Sequence, residues 1–176
     1  MFRERDVQPA AARGRRSAPP VRLVTLARRK IMIEDYENPE VEERWCAEQR
    51  VQVEEYLKEQ KVDHGEVGEW PAWHIPPYLA VWAIESKKSP GWVGWWAISG
   101  DLPTDYISAE KVKHPREAMK MFAEVWGEVS GYMLRGESHP TVKLGKKEDW
   151  PVLGDLLKRR SELLAQFADD ESVWEE

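Results

Sequence analysis

The sequence of 176 residues lacks the features that mark membrane, disulfide-bonded and nucleotide-binding proteins. Its single cysteine, Cys46, excludes an intramolecular disulfide and a thiolate-rich metal site, and it favours a reducing, cytoplasmic compartment. The longest uninterrupted apolar runs, such as 78–84, reach about a third of the ~20 residues that a membrane span needs, so no membrane association is expected. Phosphate loops, dinucleotide fingerprints and GxSxG motifs are also missing, and we therefore expect no cofactor.

Charge is unevenly divided along the chain. Residues 1–31 hold nine basic and two acidic side chains, a net of +7, whereas residues 32–176 hold 17 basic and 30 acidic ones, a net of −13. The first segment also lacks regular apolar periodicity over most of its length and is rich in Pro, Ala, Arg and Ser, which is typical of disorder. We predict a disordered basic tail over 1–31 and a single domain over 32–176.

The predicted tail is open to three interpretations. It is a basic arm for nucleic acid, a targeting peptide, or translated sequence in front of a true start at Met32. Two early acids, Glu4 and Asp6, do not fit a transit peptide. A start at Met32 is favoured because the sequence that follows, MIEDYENPEVEERW, leads directly into a well-formed helix.

That first helix is predicted from about Pro39 to Lys61. Asn38 is a suitable N-cap, Pro39 takes the first helical position, and acidic residues fill the first turns. At 100° per residue the apolar side chains fall within one arc of about 160°. Cys46 lies on this arc, so we interpret it as a small core residue rather than a nucleophile.

Two short runs rich in β-branched and aromatic residues, 78–86 and 92–99, predict an antiparallel hairpin. The segment between them, KKSPG, contains a Pro-Gly pair that is typical of a turn. Both faces of the first run are mainly apolar, so helices should cover the hairpin on both sides. A third short strand is predicted near 66–75 or 104–108.

Two C-terminal helices are predicted over 115–134 and 150–168, the second with Asp149 as its N-cap. Arg160 lies in the middle of the apolar stripe of the second helix. It should therefore be partly buried and paired with Glu85, Asp101 or Asp105. Together these elements predict an α+β fold with an N-terminal helix, a small antiparallel sheet built on one hairpin, and two C-terminal helices.

Three strings, WCAEQR, GEWPAWH and GWVGWWAISGDLPTDYIS, resemble a family of small bacterial proteins known only as a domain of unknown function. The resemblance covers about Pro39 to Glu175 and leaves out the basic tail. It implies a bacterial cytoplasmic protein and supports a start near Met32, but it implies no catalytic residue, ligand or partner.

Two loops rich in aromatic and acidic residues flank the predicted hairpin, one before its first strand and one after its second. Because the strands are antiparallel, the two loops should be neighbours and form one groove. Such a groove has an apolar wall and a negative floor, suited to a cationic side chain or amine. The alternative is that the loops only cover the end of the sheet. The predicted binding residues are Trp70, Trp73, His74, Asp101, Thr104, Asp105 and Tyr106.

Two functions fit this groove. The first is an acidic, non-enzymatic binding protein for a basic protein partner, since Trp and Tyr are enriched at interface hot spots and acidic charge speeds encounter with a cationic surface. Immunity proteins that block a toxin have this profile of size and charge, and a regulatory protein would too. The second is a small hydrolase or metal-dependent enzyme that uses His74, Asp101 and Asp105. A net charge of −13 disfavours nucleic acid as a partner of the folded domain.

Overall fold

The computed structural model describes residues 34–174 and shows a four-stranded antiparallel sheet with helices on both faces. The predicted basic tail, 1–31, lies outside the described residues. The predicted α+β class is confirmed. The helices and strands, in chain order, are α1 (Pro39–Glu59), β1 (Trp73–Ile75), β2 (Leu79–Ser86), β3 (Ser89–Gly100), β4 (Asp105–Ser108), α2 (Pro115–Leu134) and α3 (Trp150–Asp169). Neighbouring strands in the sheet follow the chain order β1-β2-β3-β4.

The start of α1 agrees with the prediction. Asn38 Oδ1 accepts a hydrogen bond from Glu40 N at 3.0 Å, and Pro39 occupies the first turn. The helix ends at Glu59, two residues earlier than predicted, and Lys61 then takes a φ of +56° that reverses the chain. The buried side of α1 packs on one face of the sheet, so its opposite side faces solvent along its whole length.

Alternation along β2 divides the apolar interior into two layers. Ala80, Trp82 and Ile84 pack against α1, whereas Leu79 and Val81 pack against α2 and α3. The buried indole of Trp82 is satisfied within the first layer, where its Nε1 donates to Ser99 Oγ at 3.0 Å. The expected helical cover on both faces of the hairpin is confirmed. None of the helices within 34–174 has the length and apolar character that a membrane crossing demands.

The hairpin turn differs from the prediction. Ser86 pairs with Ser89, so Lys87 and Lys88 form the turn, and the Pro-Gly pair lies inside β3. The strands are out of simple register around Glu85, where a β-bulge interrupts the ladder. Gly91, with a φ of +83°, donates its N–H to Glu85 Oε1 at 2.7 Å. Gly91 therefore stabilises the irregular start of β3 and is not part of the turn.

Both candidate segments for a third strand are strands. β1 pairs with β2 on one side of the hairpin, and β4 pairs with β3 on the other side. The predicted sheet was therefore too small by one strand. An additional isolated bridge joins Val67 to Ile84.

The two C-terminal helices occupy the predicted positions within one residue. His114 caps α2, because its Nδ1 accepts a hydrogen bond from Arg116 N at 3.2 Å. Asp149 occupies the predicted N-cap position of α3, but it does not cap the helix with its side chain. Asp149 is the last residue of a short 3-10 helix, Lys147–Asp149, which continues directly into α3, and its side chain makes no capping hydrogen bond.

Candidate functional site

The seven residues of the predicted groove fall in four separate places. β1 and β4 are the two edge strands, with β2 and β3 between them. Trp73 and Asp105 lie in the same row across the sheet, linked through Val81 and Ile98. Three strand spacings put their backbones about 14 Å apart. The prediction of one shared groove is thus wrong, because each loop adds a strand to the outside of the hairpin and the two loops move apart.

Trp73 belongs to the interior on the side of α2 and α3. Its Nε1 donates to Val173 O at 3.1 Å, and its ring stacks on Trp174 with centroids 4.8 Å apart. The edge of Phe167 meets it at 6.1 Å. These contacts hold the C-terminal end of the described chain against β1. Trp73 therefore has a structural role. Its predicted role in binding a partner remains a prediction.

His74 points to the opposite face of β1, towards α1. Its Nε2 donates to Glu42 Oε1 at 2.7 Å, and its ring stacks on Trp45 with centroids 6.5 Å apart. The edge of the same imidazole meets Trp70 at 5.6 Å. His74 therefore connects α1 to Trp70, whose indole remains 46% exposed beside the helix.

Trp70 forms part of a surface cavity of about 460 Å³ against the outward side of α1. We name this the α1 surface and define it by the six residues that line the cavity, which are Glu43, Ala47, Arg50, Val51, Glu69 and Trp70. The guanidinium of Arg50 is already engaged, because its Nη2 pairs with Glu54 Oε1 at 3.2 Å and donates to Val67 O at 3.0 Å. Val51 is 51% exposed, although it lies in the middle of a helix. Among residues 34–174 neither Glu43 nor Glu69 has an ion-pair partner. The α1 surface thus combines exposed apolar area with two carboxylates that form no ion pair in the described chain, while its one basic side chain, Arg50, pairs with Glu54.

A second exposed indole lies next to the α1 surface. Trp92 is 74% exposed and lines a cavity of about 370 Å³ that also contains Glu66 and Glu69. Sequence reasoning placed Trp92 inside a covered strand and did not include it among the site residues. The irregular register at the bulge is the reason for the difference, because it carries the start of β3 beyond the covered part of the sheet.

The remaining predicted residues on β4 and the loop before it line a pocket at the other edge of the sheet. Its volume is about 460 Å³, and it lies between α1, β4, α2 and the segment 141–144. We name this the β4 pocket and define it by its principal lining residues, which are Tyr56, Thr104, Asp105, Tyr106, Trp126 and Leu157. Thr104 is held in place by α1, since Gln52 Nε2 donates to Thr104 Oγ1 at 2.8 Å.

Asp105 is the charged group of the β4 pocket. Trp126 Nε1 donates to its Oδ2 at 2.8 Å, and Tyr106 N donates to its Oδ1 at 2.8 Å. Burial raises the pKa of Asp105 above its ordinary value, while these two hydrogen bonds act in the opposite direction. Burial, aided by the negative charge of Asp105, raises the pKa of Tyr56 to about 12. No basic side chain within 34–174 forms an ion pair with Asp105.

Asp101 takes part in a different contact. Arg160 Nη2 lies 3.3 Å from Asp101 Oδ2, so the predicted pairing of Arg160 is confirmed with one of its three candidates. Arg160 is partly buried, with 26% of its side chain exposed, but 68% of the Asp101 side chain is exposed. A pair so open to solvent contributes about 0–1 kcal/mol, less than the contribution expected for a buried pair.

The other groups with chemical potential have local structural contacts. Cys46 is 1% exposed, and burial raises the pKa of its thiol to about 11, which confirms its place in the interior. His139 Nδ1 accepts from Val142 N at 3.0 Å, and His64 Nδ1 donates to Gly65 O at 2.7 Å. Within the described part of the chain, no three His, Cys, Asp or Glu side chains are grouped closely enough to hold a metal ion.

Fold and surfaces together define a small α+β domain in which one acidic helix and a pair of helices enclose an antiparallel sheet. The chain belongs to the family described as domain of unknown function DUF4826, whose model matches residues 40–174. The predicted membership of an uncharacterised domain family is thereby confirmed. Neither the curated proteins nor the solved structures provide a significant match to the chain.

Proposed function

We propose that this domain is an acidic, non-enzymatic binding protein that recognises a basic protein through the α1 surface. The observation that carries the proposal is that a half-exposed tryptophan, Trp70, lines one cavity with two carboxylates that have no ion-pair partner in the described chain, Glu43 and Glu69. An indole flanked by carboxylates suits an arginine or lysine side chain, which stacks on the ring and is attracted by the acids. An immunity protein or a regulator in a bacterial cytoplasm would use such a surface.

The distribution of charge supports the choice of this surface. Residues 34–69, which include α1 and the loop that carries Glu69, hold thirteen acidic and four basic side chains, a net of −9. Residues 70–174 hold fifteen acidic and thirteen basic side chains, a net of only −2. The negative charge of the domain is therefore concentrated on the side of α1. Such a one-sided field orients a cationic partner as it approaches.

The anchoring of Trp70 supports the same conclusion. Its ring rests on His74, which is itself fixed by Glu42 and Trp45 on the buried side of α1. A side chain that is already held in place loses little conformational freedom on binding. Hot-spot residues have this combination of a large aromatic surface and a rigid support.

The enzymatic alternative receives less support from the same geometry. It needs His74 to act together with Asp101 and Asp105, but His74 and Asp105 belong to opposite edge strands. Asp101 is also separate from Asp105, because it pairs with Arg160 and does not line the β4 pocket.

Capture of proteins from a lysate of the source organism, quantified by mass spectrometry, tests the proposal. The wild-type chain is compared with Glu43→Gln/Glu69→Gln, which neutralises the α1 surface, and with Trp70→Ala. Strongly basic proteins should be retained by the wild type and lost from both variants. For a hot spot of about 2 kcal/mol, the affinity for a purified partner should fall by about thirtyfold in Trp70→Ala.

Two matched controls test whether binding depends on the α1 surface itself. One removes the same amount of negative charge elsewhere, and the other removes an exposed aromatic side chain elsewhere. Glu110→Gln/Glu124→Gln removes the same charge from the region of α2, on the opposite face of the sheet, and both residues are exposed. Tyr78→Ala removes an aromatic side chain that is 55% exposed elsewhere. Both controls should retain the basic partner. Equal capture by the surface variants and the wild type, or equal loss from variants and controls, would contradict the proposal.

A further inference from the structure

We infer that the β4 pocket is a separate binding site for a small organic ammonium ion with an apolar or aromatic body, whose charged group contacts the carboxylate of Asp105. The site lies on the β4 edge and shares no defining residue with the α1 surface. It therefore does not depend on the proposed protein partner.

The hydrogen bonding of Asp105 leaves room for a cationic ligand. A carboxylate accepts about four hydrogen bonds, two on each oxygen. Each oxygen of Asp105 receives one within the protein, from Trp126 Nε1 and Tyr106 N. Both donors are neutral, so the negative charge of the carboxylate is not compensated by a basic side chain of the described chain. An ammonium group has three N–H donors and a positive charge, and thus supplies what this largely buried carboxylate lacks.

The walls of the pocket determine the rest of the ligand. Tyr56, Tyr106 and Trp126 contribute aromatic rings, and rings beside a carboxylate strengthen the attraction for a cation. The remaining walls are mainly aliphatic, contributed by Ile107, Val125, Val129, Val142, Leu144 and Leu157. A volume of about 460 Å³ lies within the usual range for small-molecule sites. An amine with an apolar body fits both the polarity and the size.

One basic side chain of the protein lines the same pocket. Lys143 lies in the exposed segment 141–144, and its ammonium group makes no ion pair with Asp105. Because Lys143 is exposed, water and salt screen its charge from a ligand bound at Asp105. The carboxylate of Asp105 therefore remains able to pair with the ammonium group of a ligand.

The ten tryptophans provide a direct test, because each indole N–H gives its own resonance in an NMR spectrum of the full, ¹⁵N-labelled chain. The probe is 2-phenylethylammonium, and its neutral counterpart is 2-phenylethanol. The ammonium probe should shift the Trp126 indole resonance saturably, since that N–H donates to Asp105. The alcohol should bind at least about tenfold more weakly, as expected when a charge-assisted hydrogen bond is replaced by a neutral one.

Variants complete the test. Asp105→Asn should abolish saturation of the Trp126 shift, and Asp101→Asn should not, because Asp101 lies outside the pocket. If Asp105→Asn does not fold, Val142→Trp blocks the rim of the pocket while leaving Asp105 in place, and it should abolish binding equally. Three results overturn the inference: equal affinity for the alcohol, retained binding in the pocket variants, or a shift of the Trp70 resonance in place of Trp126. The last result would place the probe at the α1 surface and leave the proposed function standing.

Discussion

Individual residues in this domain show how burial changes chemical behaviour. Asp105 and Cys46 both ionise less readily than in water, because a low-dielectric environment disfavours the charged form. For Cys46 the interior location followed from the helical arc on which it lies. For Asp105 the sequence predicted a binding or catalytic acid, but it gave no indication of the burial or of the hydrogen-bond donors around the carboxylate. Its carboxylate becomes distinctive because Trp126, 21 residues away in the chain, donates a hydrogen bond to it.

Cys46 should be inert towards thiol reagents in the folded protein. It is almost fully buried, and a pKa of about 11 leaves little thiolate at pH 8. With 5,5′-dithiobis(2-nitrobenzoate), native protein should react only at the rate at which the domain opens, and protein in 6 M guanidinium chloride should react within seconds. Rapid stoichiometric reaction of the native protein would show that the α1 side of the interior is open to reagents.

Asp105 should make the stability of the domain depend on pH in an unusual direction. Its pKa is raised in the folded state, so the folded protein binds more protons than the unfolded chain at pH values just above the ordinary value of 3.8. The contribution of Asp105 to the free energy of unfolding therefore falls as the pH rises through this window and is constant above the folded-state pKa. Tyr56, with a pKa of about 12, stays protonated throughout.

The measurement is urea unfolding of wild type and Asp105→Asn between pH 4 and pH 7. The stability of the variant relative to the wild type should increase with pH and then level off, whatever its absolute offset. Asp101→Asn in the same series corrects for the general effect of losing one acidic charge from the surface. A relative stability of Asp105→Asn that falls with rising pH would show that the carboxylate is stabilised in the folded protein.

At the scale of elements, local sequence signals explain the helices better than the strands. Asn38 and Pro39 begin α1 and Pro115 begins α2, because caps and the fixed φ of proline act on the nearest backbone groups. The strands depend on partners far along the chain. The turn was predicted at the wrong residues because the local conformational preferences of a Pro-Gly pair fit a turn and the irregular start of β3 equally well.

Gly100 at the end of β3 offers a test of such a long-range constraint. Its φ is +129°, and a Cβ atom there would collide with the backbone carbonyl of Tyr78 at the start of β2. Gly91 also has a positive φ, +83°, but a Cβ atom at that position meets nothing within 4 Å. Gly100→Ala should therefore cost more than Gly91→Ala, for which about 1–2 kcal/mol is expected from the backbone conformation alone. Chemical denaturation measures both, and equal losses would show that the approach of Tyr78 to Gly100 is not a tight constraint.

On the scale of the whole molecule, the sequence was sufficient for the class of fold and for the two-sided cover of the sheet. It was not sufficient for the site. The row Trp73, Val81, Ile98 and Asp105 crosses all four strands, and its order is decided by which edge each loop joins. No periodicity within a single segment contains that information. The concentration of acidic residues in α1 is visible in the sequence. That these residues lie beside the exposed Trp70 could be seen only in the structure.

The charge of the entire chain leads to the last prediction. Residues 34–174 form both apolar layers, and from their composition residues 1–31 are predicted to be dispensable for folding. A chain that starts at Met32 should therefore melt within about 2 °C of the full chain, a shift smaller than a loss of 1 kcal/mol produces in a domain of this size. The two chains differ in net charge, −6 for the full chain and −13 from Met32 onwards. Thermal melts of both chains are measured by circular dichroism at 0.15 M and 0.5 M salt. High salt screens the electrostatic effect of residues 1–31 but leaves any packing contacts in place, so the two effects can be distinguished. A drop of several degrees on truncation at both salt concentrations would show that residues 1–31 pack on the domain.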